Sequence, residues 1–464
     1  MDSSPENKLK LSEQIPDDTR LVANDGEEVV VDALISDSGG QGDVYHATYH
    51  GRPYALKWYN RHKDDVIGGD LYENIVKLCA TPQPSGKFIW PQALVTQPGA
   101  ANGDLFGYVM ELFPDGYFEM NDFLRADNDL QAVRFQSYNA MLSTGLNIAA
   151  AMRELHVSLG MSYKDLNPKN FAFHPQSGEV LVIDNDNVSA DGGPCSVSWM
   201  NGYMAPEIQR NDYKVHPDIR TDYFSLAVIL FRLFFVDHPF EGRRMRKYPL
   251  ITDKVEEYCY AIKPVFCFDP NNESNRPDDV FAPNATVRWR IMPPELRSLF
   301  VEAFTEGIDS PGRRPPENAW INTIAHARDK LIRVPIQKPS GPVMQEQFID
   351  FNNPRSIPAG CMCMSISSGY RVALYPQKAI YKISIDGDAK RYGERYAGVV
   401  YNPERKRMGL RNLSTDEWRV FTPGNSSVAI QKGQSTDLLP GMKIEFQQGN
   451  DSIVGTVSNL TPGA

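Results

Sequence analysis

Cysteine is scarce in this sequence, at 6 of 464 residues, which argues against a disulfide-based extracellular scaffold. Long hydrophobic runs are also missing, because the longest one, residues 226–236, contains Arg232 and is about half of what a membrane-spanning helix needs. Basic residues do not predominate, since 48 Lys and Arg face 58 Asp and Glu. A net charge of −10 argues against nonspecific contacts with nucleic-acid phosphates. The polar N-terminus lacks the pattern of a signal peptide. We therefore expect a cytoplasmic protein without membrane or nucleic-acid partners.

The remaining composition is that of a globular protein, with 41% hydrophobic and 23% charged residues. Apolar alternation around a turn at His50–Gly51 predicts a β-hairpin, and residues 64–80 have a helical pattern. Helical patterns dominate after Asn121, and residues 221–236 are apolar nearly all round, which predicts a buried helix. Short alternating runs between turn signals fill the C-terminal part.

These patterns predict an α+β chain in which a strand-rich lobe precedes a helical lobe and a small all-β sandwich. The predicted divisions are a polar flexible leader over 1–26, a strand-rich lobe over 27–113, a helical lobe over 114–333, a Pro-rich linker over 334–345 and the β-sandwich over 346–464.

A glycine-rich segment, residues 36–44, lies between two predicted strands. Glycine allows main-chain N–H groups to approach phosphates closely, because no Cβ intervenes. Lys57 follows on the next strand among apolar neighbours, in a position to reach phosphate oxygens under the loop. Each feature alone is also compatible with an ordinary hairpin turn and a solvated lysine, so the order of the later motifs decides between the two interpretations.

The later motifs follow in a fixed order. Asp165 and Asn170 have the D-x-x-x-x-N spacing of a kinase catalytic loop. A predicted strand then ends at Asp184, and the segment Ala205-Pro206-Glu207 precedes Asp222 and Arg314. The first motif by itself is also compatible with a helix-breaking turn.

The whole set resembles the eukaryotic-like protein kinases over residues 28–332. The resemblance implies a bilobal protein-kinase-like fold and ATP- and Mg²⁺-dependent transfer of the γ-phosphoryl group to Ser or Thr hydroxyls of protein substrates. It implies that Lys57 holds the α- and β-phosphates and that Asp165 orients and deprotonates the acceptor hydroxyl. Asn170 and Asp184 are the implied Mg²⁺ ligands. Further implied nucleotide-binding positions are Gly39, Gly40, Gly42, Val44, Ala55, Glu73, Met110, Glu111 and Phe113.

Some of these residues have more specific roles in the family. Glu73 is the implied helical partner of Lys57, Met110 resembles the gatekeeper and Glu111 begins the hinge. Structural roles fall to Glu207 and Arg314, which resemble an ion pair of the family, and to Asp222, which would brace the catalytic loop.

The sequence departs from the family pattern at Asp37, Lys164, Asn167, Met200 and Asn185–Asp186. Lys164 replaces an arginine that clamps a phosphorylated activation segment, so we expect activity without such phosphorylation. Candidate autophosphorylation sites in that segment are Ser189, Ser196 and Ser198, which are equally compatible with ordinary loop serines. Asn167 and Met200 leave the choice of acceptor hydroxyl open.

The principal residues Lys57, Asp165, Asn170 and Asp184 are all retained, which favours an active enzyme. The alternative is a pseudokinase scaffold that binds nucleotide and recruits partners through its C-terminal domain without catalysis.

Residues 184–188, 225–230, 238–242 and 264–272 resemble a bacterial branch of these kinases. The genes of that branch often lie beside those of a PP2C-type phosphatase and a von Willebrand factor A protein. The resemblance implies the A-domain protein as a substrate and the phosphatase as an antagonist.

The C-terminal runs 409–414, 418–420 and 439–446 resemble the second half of a forkhead-associated (FHA) β-sandwich, a module that binds phosphothreonine. The Gly-Arg and Ser-x-x-His signatures of such modules are missing from residues 346–464, which favours a partner-docking role over phosphopeptide binding. Cys361 and Cys363 have no further Cys or His nearby to complete a zinc site, so we interpret them as ordinary thiols.

Overall fold

The computed structural model describes residues 14–37, 42–62, 66–97, 105–125, 133–193, 200–211, 213–338, 341–353, 358, 361–424, 426–446 and 452–460. Its first unit is a closed antiparallel barrel in the order β1-β2-β3-β4-β6-β5. The strands are β1 (Arg20–Ala23), β2 (Glu28–Ser36), β3 (Gly42–Tyr49), β4 (Arg52–His62), β5 (Ala93–Thr96) and β6 (Leu105–Met110). Helix α1 (Val66–Ala80) connects β4 to β5. The hairpin at His50–Gly51 is confirmed, because Tyr49 pairs with Arg52.

The predicted leader over 1–26 is only partly compatible with this barrel. Residues 1–13 lie outside the described residues, whereas Ile15 is buried and its N–H donates to the Tyr45 hydroxyl at 3.0 Å. Strand β1 pairs with both β2 and β5 and closes the barrel. The physical reason is the alternation of Leu21 and Ala23, whose side chains are buried inside the barrel.

A helical lobe follows the barrel and is centred on a buried helix, as the sequence predicts. Its helices are α2 (Met120–Leu124), α3 (Tyr138–Arg153), α4 (Pro206–Arg210), α5 (Ile219–Phe235), α6 (Asp253–Glu257), α7 (Pro283–Ile291), α8 (Pro294–Phe304), α9 (Glu306–Asp309) and α10 (Glu317–Asp329). Short strands lie between them: β7 (Phe118–Glu119), β8 (Met161–Ser162), β9 (Phe171–Phe173), β10 (Val180–Val182) and β11 (Ser189–Ala190).

Helix α5 organises this lobe. Asp218 caps it by accepting hydrogen bonds from the N–H groups of Arg220 and Thr221, and the Thr221 hydroxyl accepts from the Asp218 N–H. The phenylalanines of its last turns are fully buried against α8, and each stabilises the lobe by roughly 1.5–3 kcal/mol. No helix among the described residues is long and apolar enough to cross a membrane.

The barrel and the helical lobe are joined through main-chain hydrogen bonds as well as by the chain itself. The N–H of Ile89 donates to the carbonyl of Val182 at 2.9 Å, and the N–H of Val182 donates to the carbonyl of Lys87 at 2.6 Å. The segment before β5 therefore forms a short parallel bridge to β10. This bridge holds the residues that follow β10 next to the barrel.

Residues 331–338 and 341–348 form a two-stranded antiparallel sheet where the sequence predicts a Pro-rich linker over 334–345. Strand β12 (Leu331–Lys338) pairs with β13 (Gly341–Phe348) from Leu331 opposite Phe348 to Lys338 opposite Gly341. Proline is tolerated here because each strand of a two-stranded sheet has one neighbour, so a missing N–H can face outward.

The C-terminal region consists of two antiparallel sheets around one core, in agreement with the predicted β-sandwich. One sheet has the order β15-β14-β23-β22-β19-β20 and the other β16-β17-β18-β21. The strands are β14 (Met362–Ile366), β15 (Arg371–Leu374), β16 (Ala379–Tyr381), β17 (Arg395–Asn402), β18 (Arg407–Asn412), β19 (Trp418–Phe421), β20 (Ser427–Ile430), β21 (Ser435–Asp437), β22 (Lys443–Phe446) and β23 (Ile453–Asn459). Both sheets contribute to the core, for example through Trp418 and Tyr396.

The β-sandwich packs directly on the helical lobe. Its helical turn α11 (Ile383–Asp386) contributes Ile383 to the core of that lobe. Lys378 is buried and donates to the main-chain oxygen of Arg328 at 2.6 Å, and the Arg328 guanidinium lies 3.7 Å from the ring centre of Tyr381. The Tyr392 hydroxyl donates to the side-chain oxygen of Asn147 on α3 at 3.0 Å. The sandwich is thus fixed against α3 and α10.

A buried charged network supports the loop that follows α3. Asp222 on α5 accepts from the N–H groups of Tyr163 at 2.5 Å and Lys164 at 3.0 Å. His156 lies between two carboxylates, with its Nε2 3.1 Å from Asp222 and its Nδ1 in contact with Glu317. Burial lowers the pKa of His156, but the hydrogen bonds and charges of Asp222 and Glu317 outweigh this effect and raise it to about 9. The imidazolium form therefore holds the two acids together.

We expect this network to make the stability of the protein pH-dependent. The pKa of His156 is higher in the folded state than its ordinary value of about 6.5, so its contribution is complete below about pH 6.5 and is lost as the pH rises through about 9. The loss should be on the order of 3 kcal/mol in the free energy of unfolding. Urea unfolding at a series of pH values measures it.

The variant His156→Gln should lack this alkaline decrease, whereas His50→Gln, at an exposed histidine beside Asp25, should retain it. Parallel pH profiles for wild type and His156→Gln would contradict the assignment.

Candidate active site

One face of the barrel sheet carries several of the predicted nucleotide-binding residues. Val44 on β3 pairs with Lys57 on β4, Lys57 pairs with Tyr108 on β6, and Ala55 pairs with Met110. Side chains that are directly opposite, or two positions apart on a strand, project from the same face. Met110 packs against an apolar cluster that includes residues of β9 and β10. This face of the barrel is therefore directed at the helical lobe.

Lys57 is the buried cation of this face, with 7% of its surface exposed. Its Nζ contacts the Asp184 carboxylate and lies 2.7 Å from Oδ2 of Asp186. The Tyr59 hydroxyl donates to the same Asp186 oxygen at 2.7 Å. Burial lowers the pKa of Lys57, but the two carboxylates outweigh it and keep the pKa well above its ordinary value. Burial raises the pKa of Asp186, yet the charge of Lys57 outweighs this and holds it below its ordinary value.

Asp184 differs from Asp186 in its exposure. It follows strand β10 with a φ of +61°, a left-handed conformation that is uncommon for a residue with a side chain. Its side chain is 41% exposed, whereas that of Asp186 is fully buried. Partial burial of the carboxylate and the neighbouring charge of Asp186 raise the pKa of Asp184 to about 6, against the opposing effect of Lys57. Asp184 is thus the carboxylate that remains accessible in the cleft.

The loop after β8 brings Asp165 and Asn170 together. The Asn170 amide donates to the main-chain oxygen of Asp165 at 2.8 Å, and the Asn167 amide donates to Oδ1 of Asp165 at 3.1 Å. The Asn187 amide lies 3.5 Å from the other carboxylate oxygen of Asp165. Burial raises the pKa of Asp165 to about 7, with the Asn167 hydrogen bond opposing the shift and the charge of Asp184 adding to it. The amides thus orient a carboxylate with a raised pKa.

The two groups of residues lie at one cleft. The Tyr163 hydroxyl, just before Asp165, donates to the main-chain oxygens of Ile183 and Asp184, both at 2.8 Å. This hydrogen bonding ties the Asp165 loop to the segment that contacts Lys57. Lys57, Asp165, Asn170 and Asp184 are therefore brought together from the barrel and the helical lobe.

These residues fit a Mg²⁺ ion held together with phosphate groups. Three carboxylates, those of Asp165, Asp184 and Asp186, share the cleft with one lysine, which leaves an excess of negative charge. The Asn170 amide nitrogen is engaged with Asp165, so its oxygen is the atom suited to a cation. Mg²⁺ prefers oxygen ligands and is usually bound by one or two carboxylates plus substrate phosphates. Within the described residues, no group of three or more His, Cys, Asp or Glu is arranged to hold a metal.

The structure does not bring Glu73 to Lys57. Glu73 is exposed on α1, and the next residue, Asn74, faces the site instead. The Asn74 amide donates to the main-chain oxygens of Asp186 at 2.7 Å and Val188 at 3.0 Å. Successive residues on a helix differ by about 100° in direction, so one position decides which side chain faces the lysine. The sequence pattern of α1 did not fix that position.

The other predicted nucleotide-binding residues are the three glycines of the Gly-rich segment and two residues after β6. Gly39 and Gly40 lie outside the described residues. Gly42 is buried where β3 approaches β4, and a Cβ there would lie 2.1 Å from the Trp58 carbonyl oxygen, so strand packing by itself requires this glycine. Glu111 and Phe113 are exposed after β6, and the Phe113 ring packs edge-on against Tyr117.

Sequence reasoning missed the roles of Asp186, Tyr59 and Asn74 around Lys57. In the sequence, Asp186 is only one of the two residues, with Asn185, that replace the usual family residues after the metal-binding aspartate. The available signal was a second acidic residue two positions after Asp184 together with a tyrosine two positions after Lys57. The second spacing places the side chains of Lys57 and Tyr59 on the same side of strand β4.

The chain is similar to the serine/threonine-protein kinase-transforming protein mos of Moloney murine sarcoma virus and of its strain ts110, with 24% identity over 229 residues in each case. The matches cover 44% of this chain and span only 56% and 59% of the two relatives, respectively.

Among solved structures, the chain is similar to a ROP18 kinase domain in complex with AMP-PNP and sucrose, with 13% identity and a TM-score of 0.45. That match covers 68% of this chain and 86% of the other. A family model for the protein kinase domain matches residues 38–299, which is more than half of the chain. Together with the cleft that joins Lys57, Asp165, Asn170 and Asp184, this match shows that the chain belongs to the protein kinase domain family.

Proposed function

We propose that this protein is an ATP- and Mg²⁺-dependent protein kinase that transfers the γ-phosphoryl group to Ser or Thr hydroxyls of protein substrates. The observation that carries the proposal is the convergence of Lys57, Asp165, Asn170 and Asp184 on one cleft. The Ser/Thr preference is supported by the names of the relatives, which are serine/threonine-protein kinases.

The proposed reaction forms a bond between the acceptor hydroxyl oxygen and the γ-phosphorus and breaks the bond to the oxygen that bridges the β- and γ-phosphates, so that ADP leaves. The Lys57 ammonium contacts phosphate oxygens and offsets their charge. Asp165, oriented by the Asn167 and Asn187 amides, accepts the hydroxyl proton. Asn170 and Asp184 would hold Mg²⁺, which supplies charge neutralisation of the phosphates when bound.

The variant Asp165→Asn should lose phosphoryl transfer and keep nucleotide binding, because it removes the proton acceptor but not the phosphate contacts. General-base catalysis typically contributes about 10²–10⁴-fold, and we expect a decrease of that size in the rate. The measurement is transfer from labelled ATP with Mg²⁺ to a generic protein substrate, together with titration of a fluorescent ATP analogue.

The matched control is Asp253→Asn, at an exposed aspartate on α6, which should leave both quantities unchanged. Wild-type protein that binds the nucleotide but transfers no phosphate would favour the pseudokinase scaffold. Equal transfer rates in wild type and Asp165→Asn would remove Asp165 from the reaction.

We further propose that activity does not require phosphorylation of the activation segment. The contacts of Lys164 with this segment support the proposal. Lys164 is buried, and its Nζ donates to the Ser189 hydroxyl at 2.6 Å and to the main-chain oxygen of Gly193 at 2.9 Å. The lysine thus holds the segment directly, through hydrogen bonds that need no phosphate. Ser196 and Ser198 lie outside the described residues.

Initial transfer rates should therefore stay within about twofold after phosphatase treatment and removal of the phosphatase. Lys164→Met should lower the rate on the order of tenfold, since hydrogen bonds from a charged donor are worth about 1.5–3 kcal/mol each. Intact-mass spectrometry verifies the phosphorylation state before the assay. Abolition of activity by dephosphorylation would contradict direct anchoring by Lys164.

For the C-terminal β-sandwich we propose a role in docking protein partners. Its own core, separate from that of the helical lobe, and its resemblance to half of an FHA sandwich support this role. The resemblance to a bacterial kinase branch supports a von Willebrand factor A protein as substrate and a PP2C-type phosphatase as antagonist.

Because the phosphothreonine-binding signatures are missing from residues 346–464, phosphothreonine peptides should bind the full-length chain no more tightly than their unphosphorylated forms. Fluorescence anisotropy with matched peptide pairs measures this. A preference of more than about tenfold for the phosphorylated form, or about 1.4 kcal/mol, would instead indicate a functional phosphopeptide reader.

A further inference from the structure

The carboxylate partners of Lys57 both come from the segment that follows β10. Asp184 and Asp186 contact its Nζ, whereas Glu73 of α1, the partner implied by the family resemblance, is exposed. Helix α1 reaches the same segment through the neutral amide of Asn74, which donates to main-chain oxygens. The negative charge opposite the lysine is thus supplied by the helical lobe, and among the described side chains of α1 it is Asn74 that contributes hydrogen-bond donors to this segment.

The two aspartates are suited to different tasks. Asp184 is 41% exposed in the cleft and is the proposed Mg²⁺ ligand, so its oxygens are needed by the cation when the nucleotide is bound. Asp186 is fully buried, and the Tyr59 hydroxyl donates to the same oxygen that contacts Lys57, at 2.7 Å in each case. Its position is fixed further by Asn74, which holds its main-chain oxygen. Asp186 is therefore the partner that can remain with Lys57 while Asp184 binds the metal.

We propose that Asp186 is the positioning residue of this kinase: it replaces the helical glutamate and holds the Lys57 ammonium at the phosphate site. The proposal rests on the proposed function for its catalytic consequence, but the ion pair itself can be tested without nucleotide. It follows that Lys57 is positioned by the folding of the segment 184–188 rather than by the placement of a carboxylate on α1. Tyr59 and Asn74 hold Asp186 in the required orientation.

The first test measures how readily Lys57 reacts in the protein without nucleotide. The full-length chain is treated briefly with an amine-reactive acetylating reagent, and modification of Lys57 is quantified by mass spectrometry. Asp186→Asn, which keeps the shape but removes the charge, should increase the rate at Lys57 by roughly tenfold or more, since a hydrogen bond to a charged group is lost. Asp70→Asn, at an exposed acid on α1, is the matched control and should react like wild type.

Two further variants separate the competing arrangements. Glu73→Gln should leave Lys57 protected, because that side chain is exposed. Asp186→Glu, which keeps the carboxylate at the same position of the chain, should retain more of the protection than Asp186→Asn does. Increased reactivity in Glu73→Gln, or unchanged reactivity in Asp186→Asn, would overturn the proposal.

The second test follows the nucleotide. Asp186→Asn should raise KM for ATP by roughly tenfold to a hundredfold and lower kcat, and Asp186→Glu, which keeps the charge, should recover part of both. A purely structural role would instead lower the thermal unfolding midpoint, leave KM of the folded enzyme unchanged and show no recovery in Asp186→Glu. Wild-type protein without transfer activity would refute the proposed function, while the acetylation series would still decide the role of Asp186.

Discussion

The pairing of one buried ammonium with two carboxylates is the interaction on which the rest of the site depends. Removing a charge from water costs several kcal/mol unless opposite charges and hydrogen bonds surround it. Lys57 meets this requirement only when the barrel is docked on the segment after β10, because its partners are residues of the helical lobe. These ion pairs therefore form only when the barrel and the helical lobe are correctly positioned relative to each other. The cleft lies between the two lobes in that position.

The same principle governs the side of the cleft that carries Asp165. The loop has little regular structure, and its shape is maintained by Asp222, which accepts two consecutive main-chain N–H groups. Asp222 is in turn held by His156, and His156 by Glu317 of α10. Each polar group in this series is a hydrogen-bond partner of the next one, so the loop is connected to the core of the helical lobe. The bidentate pair between Arg314 and Glu207, at 2.7 Å for both hydrogen bonds, fixes α4 in the same way.

The β-sandwich is part of this arrangement rather than a separate appendage. It shares apolar contacts with the helical lobe through Ile383, and it meets α10, the helix that supplies Glu317, at Arg328. Lys378 is buried at that contact, and its burial lowers the pKa of the lysine to about 8. Helix α10 therefore contacts the sandwich through Arg328 and supports the Asp165 loop through Glu317.

The sequence alone predicted the strand-rich and helical regions and the buried helix α5 from local periodicity, and the resemblance of its motifs to the protein kinases pointed to Lys57, Asp165, Asn170 and Asp184. The resemblance also implied Glu73 as the partner of Lys57, whereas the structure places Asp184 and Asp186 there. The rotation of a helix and the burial of a second aspartate depend on packing between segments more than 100 residues apart in the chain. For the same reason, the composition of the Pro-rich stretch did not reveal that its two halves pair as antiparallel strands. Local motifs therefore indicated which side chains carry the chemistry. Tertiary contacts decided which carboxylates pair with Lys57, because opposite charges meet only when distant segments pack together.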